Sequence, residues 1–180
     1  MKKVITFLAD GFETVEALTT VDILRRAKIE VETVSIMPIQ NVTSAQKIIV
    51  TADKMLEDVD IDSADMIFLP GGGGYKHLLN NEVVTNAVTK FYNEGKLLAA
   101  ICAAPSILGR MGFLEGKNAT CFPGFEEFMF NANVTGGSVE VAGNIVTGKG
   151  MGVSVEFSLE VLRLLTDSET ADKIKESIQA

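Results

Sequence analysis

The chain has 180 residues, of which 47% are hydrophobic and 22% are charged, and its formal net charge is −8 at pH 7. This composition excludes a disordered or fibrous chain, and the length predicts a single domain over residues 1–180. The negative charge would repel phosphate backbones, so we expect no nucleic-acid partner.

The first residues form a short apolar run behind two lysines, and Asp10 ends this run. It is too short for a signal peptide, so we interpret it as a first buried strand. No stretch of the sequence approaches the roughly 18 uncharged apolar residues of a transmembrane helix. We therefore expect a cytoplasmic protein without a membrane partner.

Apolar runs and helical patterns alternate along the first hundred residues. The runs predict strands, and the patterns between them predict helices, with strands at residues 4–9, 30–36, 66–70 and 97–101 and helices at residues 12–27 and 82–94. Such alternation is typical of a parallel sheet. The two later strands are apolar without a polar face, which indicates helices on both sides of the sheet. We predict an α/β, doubly wound sandwich.

The second half of the chain adds two kinds of element. Residues 40–50 and 138–147 are predicted as antiparallel additions at a sheet edge, the latter with a turn at Gly143. Helical patterns return at residues 153–165 and 169–178, with a break and capping site between them.

Ligands of open parallel sheets bind outside the carboxyl ends of the strands. Three predicted strand ends carry distinctive loops, at residues 9–13, 70–74 and 101–105. Together they would place a carboxyl group, glycine N–H groups and a thiol on one rim of the sheet.

Cys102 lies in the third of these loops. The small Ala103 and Ala104 permit a tight turn, and Pro105 suits a first helical turn, whose N-terminus would stabilise a thiolate. We therefore expect an acidic, accessible thiol, although position alone is equally compatible with a buried, inert cysteine. Cys121 has no such setting and is interpreted as a packing residue.

The other two loops suggest partners for the thiol. The four glycines 71–74 offer unobstructed N–H groups, as an oxyanion site requires, or form a simple flexible turn. Asp10 and Glu13 indicate a helix cap one turn before Glu16. Glu16 shares a partly apolar stripe with Thr20, so its carboxyl either faces inward and is held protonated or is solvated on the surface.

The remaining candidates are weaker. His77 is the only histidine and hence the only conventional base for a Cys–His pair, but a surface position is equally compatible. One histidine and two cysteines do not form a metal-binding pattern, so we expect no metal. Asp22 and Arg26 are predicted to form a surface ion pair on the first helix.

Four motifs resemble the ThiJ/PfpI superfamily, in the branch that contains the human parkinsonism-associated protein. They read Ala-Asp-Gly-Phe-Glu-Thr-Val-Glu, Phe-Leu-Pro-Gly-Gly, Ala-Ala-Ile-Cys-Ala-Ala-Pro and Gly-Lys-Gly-Met-Gly. The resemblance implies a flavodoxin-like sandwich, as in class I glutamine amidotransferases, and a homodimer. It also implies that Cys102 is the nucleophile and Glu16 its acid, with oxyanion donors at Gly71, Gly72 and Ala103.

Arg26 matches an arginine that reaches the partner's site in the family's dimer. The sequence also departs from the family at three positions. Ala103 stands where peptidase-like relatives have a histidine, and Phe122 stands where the branch often has one. Gln46 stands near the position where other members of the branch often have an arginine that is associated with stabilising an oxidised cysteine. These departures weigh against proteolysis and weaken a redox-sensing role.

The resemblance implies a glyoxalase or deglycase that needs no cofactor and acts on methylglyoxal-type 2-oxoaldehydes or their adducts. Cys102 would attack the aldehyde and Glu16 would shuttle a proton. The alternative is a redox-responsive stress protein or chaperone that senses oxidants through Cys102. A third possibility is a cysteine peptidase or amidase in which His77 assists the thiol.

Overall fold

The computed structural model describes residues 2–180 and contains eleven strands and six α-helices over that range. The strands are β1 (Lys3–Leu8), β2 (Glu30–Ser35), β3 (Asn41–Thr43), β4 (Ile49–Thr51), β5 (Lys54–Met55), β6 (Met66–Leu69), β7 (Leu97–Ile101), β8 (Asn118–Ala119), β9 (Asn133–Val134), β10 (Val139–Ala142) and β11 (Ile145–Gly148). The helices are α1 (Thr14–Arg26), α2 (Tyr75–Leu79), α3 (Glu82–Asn93), α4 (Pro105–Arg110), α5 (Ser154–Leu165) and α6 (Ser168–Ser177).

Seven strands form one sheet in the order β10-β11-β7-β6-β1-β2-β5. All neighbours in it are parallel except β10 and β11, which are antiparallel. From β1 the chain runs outward to β2 and β5, and then returns to β6 on the other side of β1. This reversal is a topological switch point, where open α/β sheets bind their ligands.

Helices cover both faces of the sheet because its central strands are apolar on both sides. In β6, Ile67 and Leu69 belong to the core cluster that includes side chains of α3 and α4. Met66 and Phe68 face the opposite cluster, with side chains of α1 and α5. The expectation of a doubly wound α/β sandwich is confirmed. The four predicted strands agree with β1, β2, β6 and β7 to within one residue at each end.

The two predicted antiparallel additions have different places in the fold. Residues 139–148 form the hairpin of β10 and β11 at one edge of the main sheet, as predicted. The strands β3 and β4 instead form a separate two-stranded sheet. This small sheet binds the loop after β1, since Gly11 N–H donates to the Thr43 carbonyl at 2.7 Å and Thr43 N–H donates to Asp10 Oδ1 at 2.8 Å.

Helix caps agree with the sequence near the end of the chain. Asp167 caps α6 by accepting a hydrogen bond from Thr170 N–H at 2.8 Å, as the break before this helix predicted. Within residues 2–180, the helices are all too short or too polar to cross a membrane.

Candidate active site

Cys102 follows β7 directly and has a left-handed backbone conformation, with φ of 67°. A residue other than glycine is strained there, so the surrounding structure must hold it. Two hydrogen bonds do so: Cys102 N–H donates to the Gly148 carbonyl at 2.9 Å, and the Cys102 carbonyl accepts from Phe122 N–H at 2.8 Å. The thiol is thereby fixed at a sharp turn between β7 and α4.

The Cys102 thiol lies against the N–H groups of Gly72 and Ala103 and the carboxyl of Glu16. Burial, and then the negative charge of Glu16, raise the pKa of the thiol to about 12. The expectation of an acidic thiol is therefore wrong for the resting site. Burial raises the pKa of the thiol by more than the N-terminus of α4, a helix of only six residues, lowers it. While Glu16 is ionised, the sulfur keeps its proton.

Glu16 lies in the first turn of α1 and is completely buried. Its Oε2 accepts a hydrogen bond from Gly71 N–H at 3.1 Å. Burial is the main cause that raises the pKa of this carboxyl to about 7, and the adjacent Cys102 thiol opposes the rise. The inward-facing alternative is therefore correct, and the carboxyl is poised to gain and lose a proton near neutral pH.

The backbone of Glu16 is held from two sides. Its N–H donates to Glu13 Oε2 at 2.8 Å, so Glu13 is the cap of α1. The interpretation of Asp10 as part of this cap is wrong, because its carboxylate binds β3 instead. The Glu16 carbonyl accepts from the Thr20 hydroxyl at 2.9 Å, and that hydroxyl lies 2.8 Å from Ser158 Oγ on α5.

The glycine loop is packed tightly against the loop after β1. Glu13 N–H donates to the Gly71 carbonyl, and Gly74 N–H donates to the Gly11 carbonyl, both at 3.0 Å. A Cβ on Gly71 would lie 2.5 Å from both Cys102 Cβ and Glu16 Oε2, and one on Gly72 would lie 2.5 Å from Glu13 N. The glycines permit this approach, so the flexible-turn alternative is wrong.

The three expected oxyanion donors differ in what they contact. The N–H groups of Gly72 and Ala103 lie near the sulfur of Cys102 and lower the pKa of its thiol, against the larger effect of burial. The N–H of Gly71 is instead bound to Glu16, so this donor holds the acid in place. Gly71 thus departs from the role expected for it.

Other sequence candidates lie away from this cluster. His77 is exposed on α2, and no hydrogen bond joins it to Cys102 in the part of the chain that the structure describes. Arg26 forms the predicted ion pair with Asp22, at 2.6 Å, and is half exposed. Gln46 accepts a hydrogen bond from the Thr14 hydroxyl at 2.7 Å. Cys121 is buried, and this burial helps to raise its pKa to about 11.

Two segments approach Cys102 more closely than the sequence indicates. In the sequence, Phe122 is only a departure from the family, and no pattern places the segment around Gly148 beside the thiol. The Gly-Lys-Gly-Met-Gly motif was the available signal, since closely spaced glycines indicate close backbone approach. Over residues 2–180, no group of three or more His, Cys, Asp or Glu side chains is arranged to hold a metal ion.

Comparisons with known proteins extend over most of the chain. The model of the DJ-1/PfpI family matches residues 2–164. The chain is 38% identical over 176 residues to protein DJ-1 homolog B of Arabidopsis thaliana, covering 96% of this chain and 40% of that protein. It is 30% identical over 180 residues to protein dj-1beta of Drosophila melanogaster, covering 98% of this chain and 96% of that protein. The chain spans less than half the length of the two Arabidopsis relatives.

Solved structures agree with this result. Oxidized DJ-1 of Toxoplasma gondii has a TM-score of 0.92 and 32% identity, covering 99% of this chain and 98% of that chain. DJ-1beta of Drosophila melanogaster has a TM-score of 0.93 and 29% identity, covering 99% of this chain and 98% of that chain. The resemblance seen in the four sequence motifs is confirmed, and the chain belongs to the DJ-1/PfpI family.

Proposed function

We propose that this protein is a cofactor-independent glyoxalase or deglycase that acts on methylglyoxal-type 2-oxoaldehydes or their adducts. The observation that carries the proposal is the buried Glu16 carboxyl beside the Cys102 thiol, with its pKa raised to about 7. A nucleophile beside an acid that exchanges protons at neutral pH suits a reaction that must move a proton between two carbons.

The reaction begins when Cys102 Sγ attacks the aldehyde carbon of the substrate. A carbon–sulfur bond forms, the thiol proton passes to the Glu16 carboxylate, and the aldehyde oxygen becomes an alkoxide. The N–H groups of Gly72 and Ala103 lie at the sulfur, close to where this alkoxide develops. Protonation of the alkoxide by Glu16 gives a hemithioacetal and restores the carboxylate.

Glu16 then removes the hydrogen from the former aldehyde carbon as a proton. The electron pair left behind forms an enediolate with the neighbouring ketone carbon. The carboxyl then protonates that second carbon, and the hydroxyl proton on the first carbon passes to the oxygen of the second, which leaves a thioester at the first carbon and a hydroxyl group at the second. Water cleaves the carbon–sulfur bond of the thioester, so the products are a 2-hydroxy acid and the free Cys102 thiol, and no oxidant or reductant is consumed.

The test is a steady-state assay with methylglyoxal in D₂O, with NMR of the product. The wild-type protein is expected to form lactate with solvent deuterium on carbon 2, because the Glu16 carboxyl exchanges its proton with solvent between the two transfers. Cys102→Ser and Glu16→Gln are each expected to lower kcat by at least about 100-fold.

The matched control is Cys121→Ser, which alters the other thiol and is expected to keep the wild-type rate. Lactate formation by Cys102→Ser at the wild-type rate would exclude the covalent mechanism. Lactate formation by Glu16→Gln at the wild-type rate would exclude Glu16 as the proton carrier.

A redox-responsive stress protein or chaperone remains the alternative, because Cys102 is the partly exposed thiol of the two and Cys121 is buried. One structural relative, DJ-1 of Toxoplasma gondii, is described as oxidized. Intact mass after mild peroxide treatment separates the two functions. Selective addition of two oxygens at Cys102, without aldehyde turnover, would favour the redox function over the enzyme.

We give the peptidase or amidase function the lowest rank, because the exposed His77 makes no hydrogen bond to Cys102 within the described chain. Hydrolysis of a peptide or amide that is abolished by His77→Ala would reverse this ranking.

A further inference from the structure

An apolar cavity of about 370 Å³ lies beside the candidate site. Its lining consists of Phe122, Pro123 and residues 149–153, and we refer to it as the Phe122 cavity. Its volume falls within the range of pockets that hold small molecules. None of the steps proposed above uses it.

Both walls of the Phe122 cavity are attached to Cys102 by backbone hydrogen bonds. Phe122 N–H donates to the Cys102 carbonyl at 2.8 Å, which fixes one wall. Cys102 N–H donates to the Gly148 carbonyl at 2.9 Å, and the other wall begins at the next residue. The backbone of Cys102 therefore adjoins both walls of the cavity.

The lining of the cavity is suited to apolar groups. Phe122 is 47% exposed and Met151 is 50% exposed, so two large apolar side chains are left for a ligand to cover. A Cβ on Gly150 would lie 3.2 Å from Cδ2 of Phe122, which shows how closely the ring packs on this glycine. The only charged residue of the lining is Lys149, and its Nζ donates to the Gly136 carbonyl at 3.0 Å.

We propose that the Phe122 cavity binds the substituent on the ketone carbon of the substrate, and that the preferred 2-oxoaldehydes carry an aryl or branched alkyl group there. Phe122 and Met151 then determine specificity. The inference rests on the proposed function, which brings the aldehyde carbon to Cys102. A methyl group would leave most of the apolar lining in water, whereas a phenyl group would cover it.

The first test compares kcat/KM for phenylglyoxal and methylglyoxal in the wild-type protein and in Phe122→Ala. The ratio of the two values is expected to fall about tenfold in Phe122→Ala, a change typical of losing part of an apolar pocket. Comparing the ratio between variants cancels the different intrinsic reactivities of the two aldehydes. Met151→Ala is a second variant, on the opposite wall, and is expected to lower the ratio in the same direction.

The matched control is Phe130→Ala. Phe130 is 47% exposed, as Phe122 is, but it does not line the cavity. Its removal is expected to leave the ratio unchanged. An unchanged ratio in both Phe122→Ala and Met151→Ala would overturn the inference.

A second test needs no aldehyde turnover. The rates at which N-phenylmaleimide and N-methylmaleimide alkylate Cys102, followed by intact mass and peptide mapping, report the same preference for an apolar group. The ratio of these rates is expected to fall about tenfold in Phe122→Ala and to stay constant in Phe130→Ala.

The two tests separate the inference from the function on which it rests. A Phe122-dependent alkylation ratio without turnover of either aldehyde would support the cavity and reject the proposed function. Turnover that needs Cys102, with both ratios insensitive to Phe122→Ala, would support the proposed function and overturn the cavity.

Discussion

Gly71 and Glu16 are in contact through one hydrogen bond that leaves no room for a larger residue. Gly71 N–H donates to Glu16 Oε2 at 3.1 Å, and a Cβ on Gly71 would lie 2.5 Å from that same oxygen. It would also lie 2.5 Å from Cys102 Cβ. Gly71 therefore sets the position of the acid relative to the thiol, and only a glycine can do so.

Gly71→Ala is expected to lower kcat/KM for methylglyoxal by about 100-fold or more, because the added methyl group must displace Glu16 or Cys102. The control is Gly73→Ala in the same loop. A Cβ on Gly73 meets nothing within 4 Å. The Gly73→Ala variant should therefore keep the wild-type activity, and its unfolding free energy should match that of the wild type within about 0.5 kcal/mol. Wild-type activity in Gly71→Ala would show that the contact does not govern the reaction.

The parts of the fold that depend on local pattern were predictable from the sequence. The strands β6 and β7 have apolar residues on both faces, and this pattern is readable without knowing their neighbours. The inward orientation of Glu16 is one of the two alternatives that its partly apolar stripe on α1 left open. The site was located because the carboxyl ends of β1, β6 and β7 meet at one edge of the sheet.

The features that depend on contacts across the fold were not predictable. The pKa of Cys102 is set by burial and by Glu16, which is 86 residues away in sequence. The hydrogen bond from Gly71 N–H to Glu16 and the hydrogen bond from Phe122 N–H to Cys102 likewise depend on contacts across the fold. The single-domain assignment and the roles of the site residues stay predictions.

Glu16 should also make stability depend on pH. Its carboxyl has a pKa of about 7 when folded, against an ordinary value of 4.5 in the unfolded chain, so between these values the folded state binds more protons than the unfolded state. The free energy of unfolding therefore falls as pH rises from 5 to 8. Relative to Glu16→Gln, which cannot titrate, the wild type is expected to lose about 2 to 3 kcal/mol over this range.

Urea unfolding of both proteins at pH 5 and pH 8 measures this difference. Glu115→Gln is the control, because its carboxylate is exposed and does not act on Glu16. It should retain the pH dependence of the wild type. A pH dependence that is the same in Glu16→Gln and in the wild type would show that the carboxyl ionises normally.

The backbone of Cys102 offers a test of strain. Because its φ is 67°, glycine should relieve a conformational penalty that alanine keeps. Cys102→Gly is expected to be more stable than Cys102→Ala by about 1 kcal/mol. At Cys121, which is not among the described residues with positive φ, the order should reverse. Equal effects at both positions, measured by urea unfolding, would argue against strain at the nucleophile.

The homodimer that the family resemblance implies makes a prediction about Arg26. This side chain is half exposed and lies in the last turn of α1, about 15 Å along the helix from Glu16 in the first turn, so we expect a role in catalysis only at the partner's site. Arg26→Ala should then lower kcat/KM, whereas Lys173→Ala, which breaks another exposed i,i+4 ion pair, should not. Sedimentation should give the mass of a dimer.

Mixing Arg26→Ala with Cys102→Ser tests whether Arg26 acts across the interface. In a mixed dimer, one site combines the intact Cys102 of one protomer with the intact Arg26 of the other. Random exchange of protomers would therefore restore about one quarter of the wild-type activity, although each variant alone is impaired. Only a residue that crosses the interface can restore activity when it is mixed with a protomer that lacks the thiol. If the mixture sediments as a dimer and its activity is no higher than the sum of the two separate variants, Arg26 acts only within its own chain.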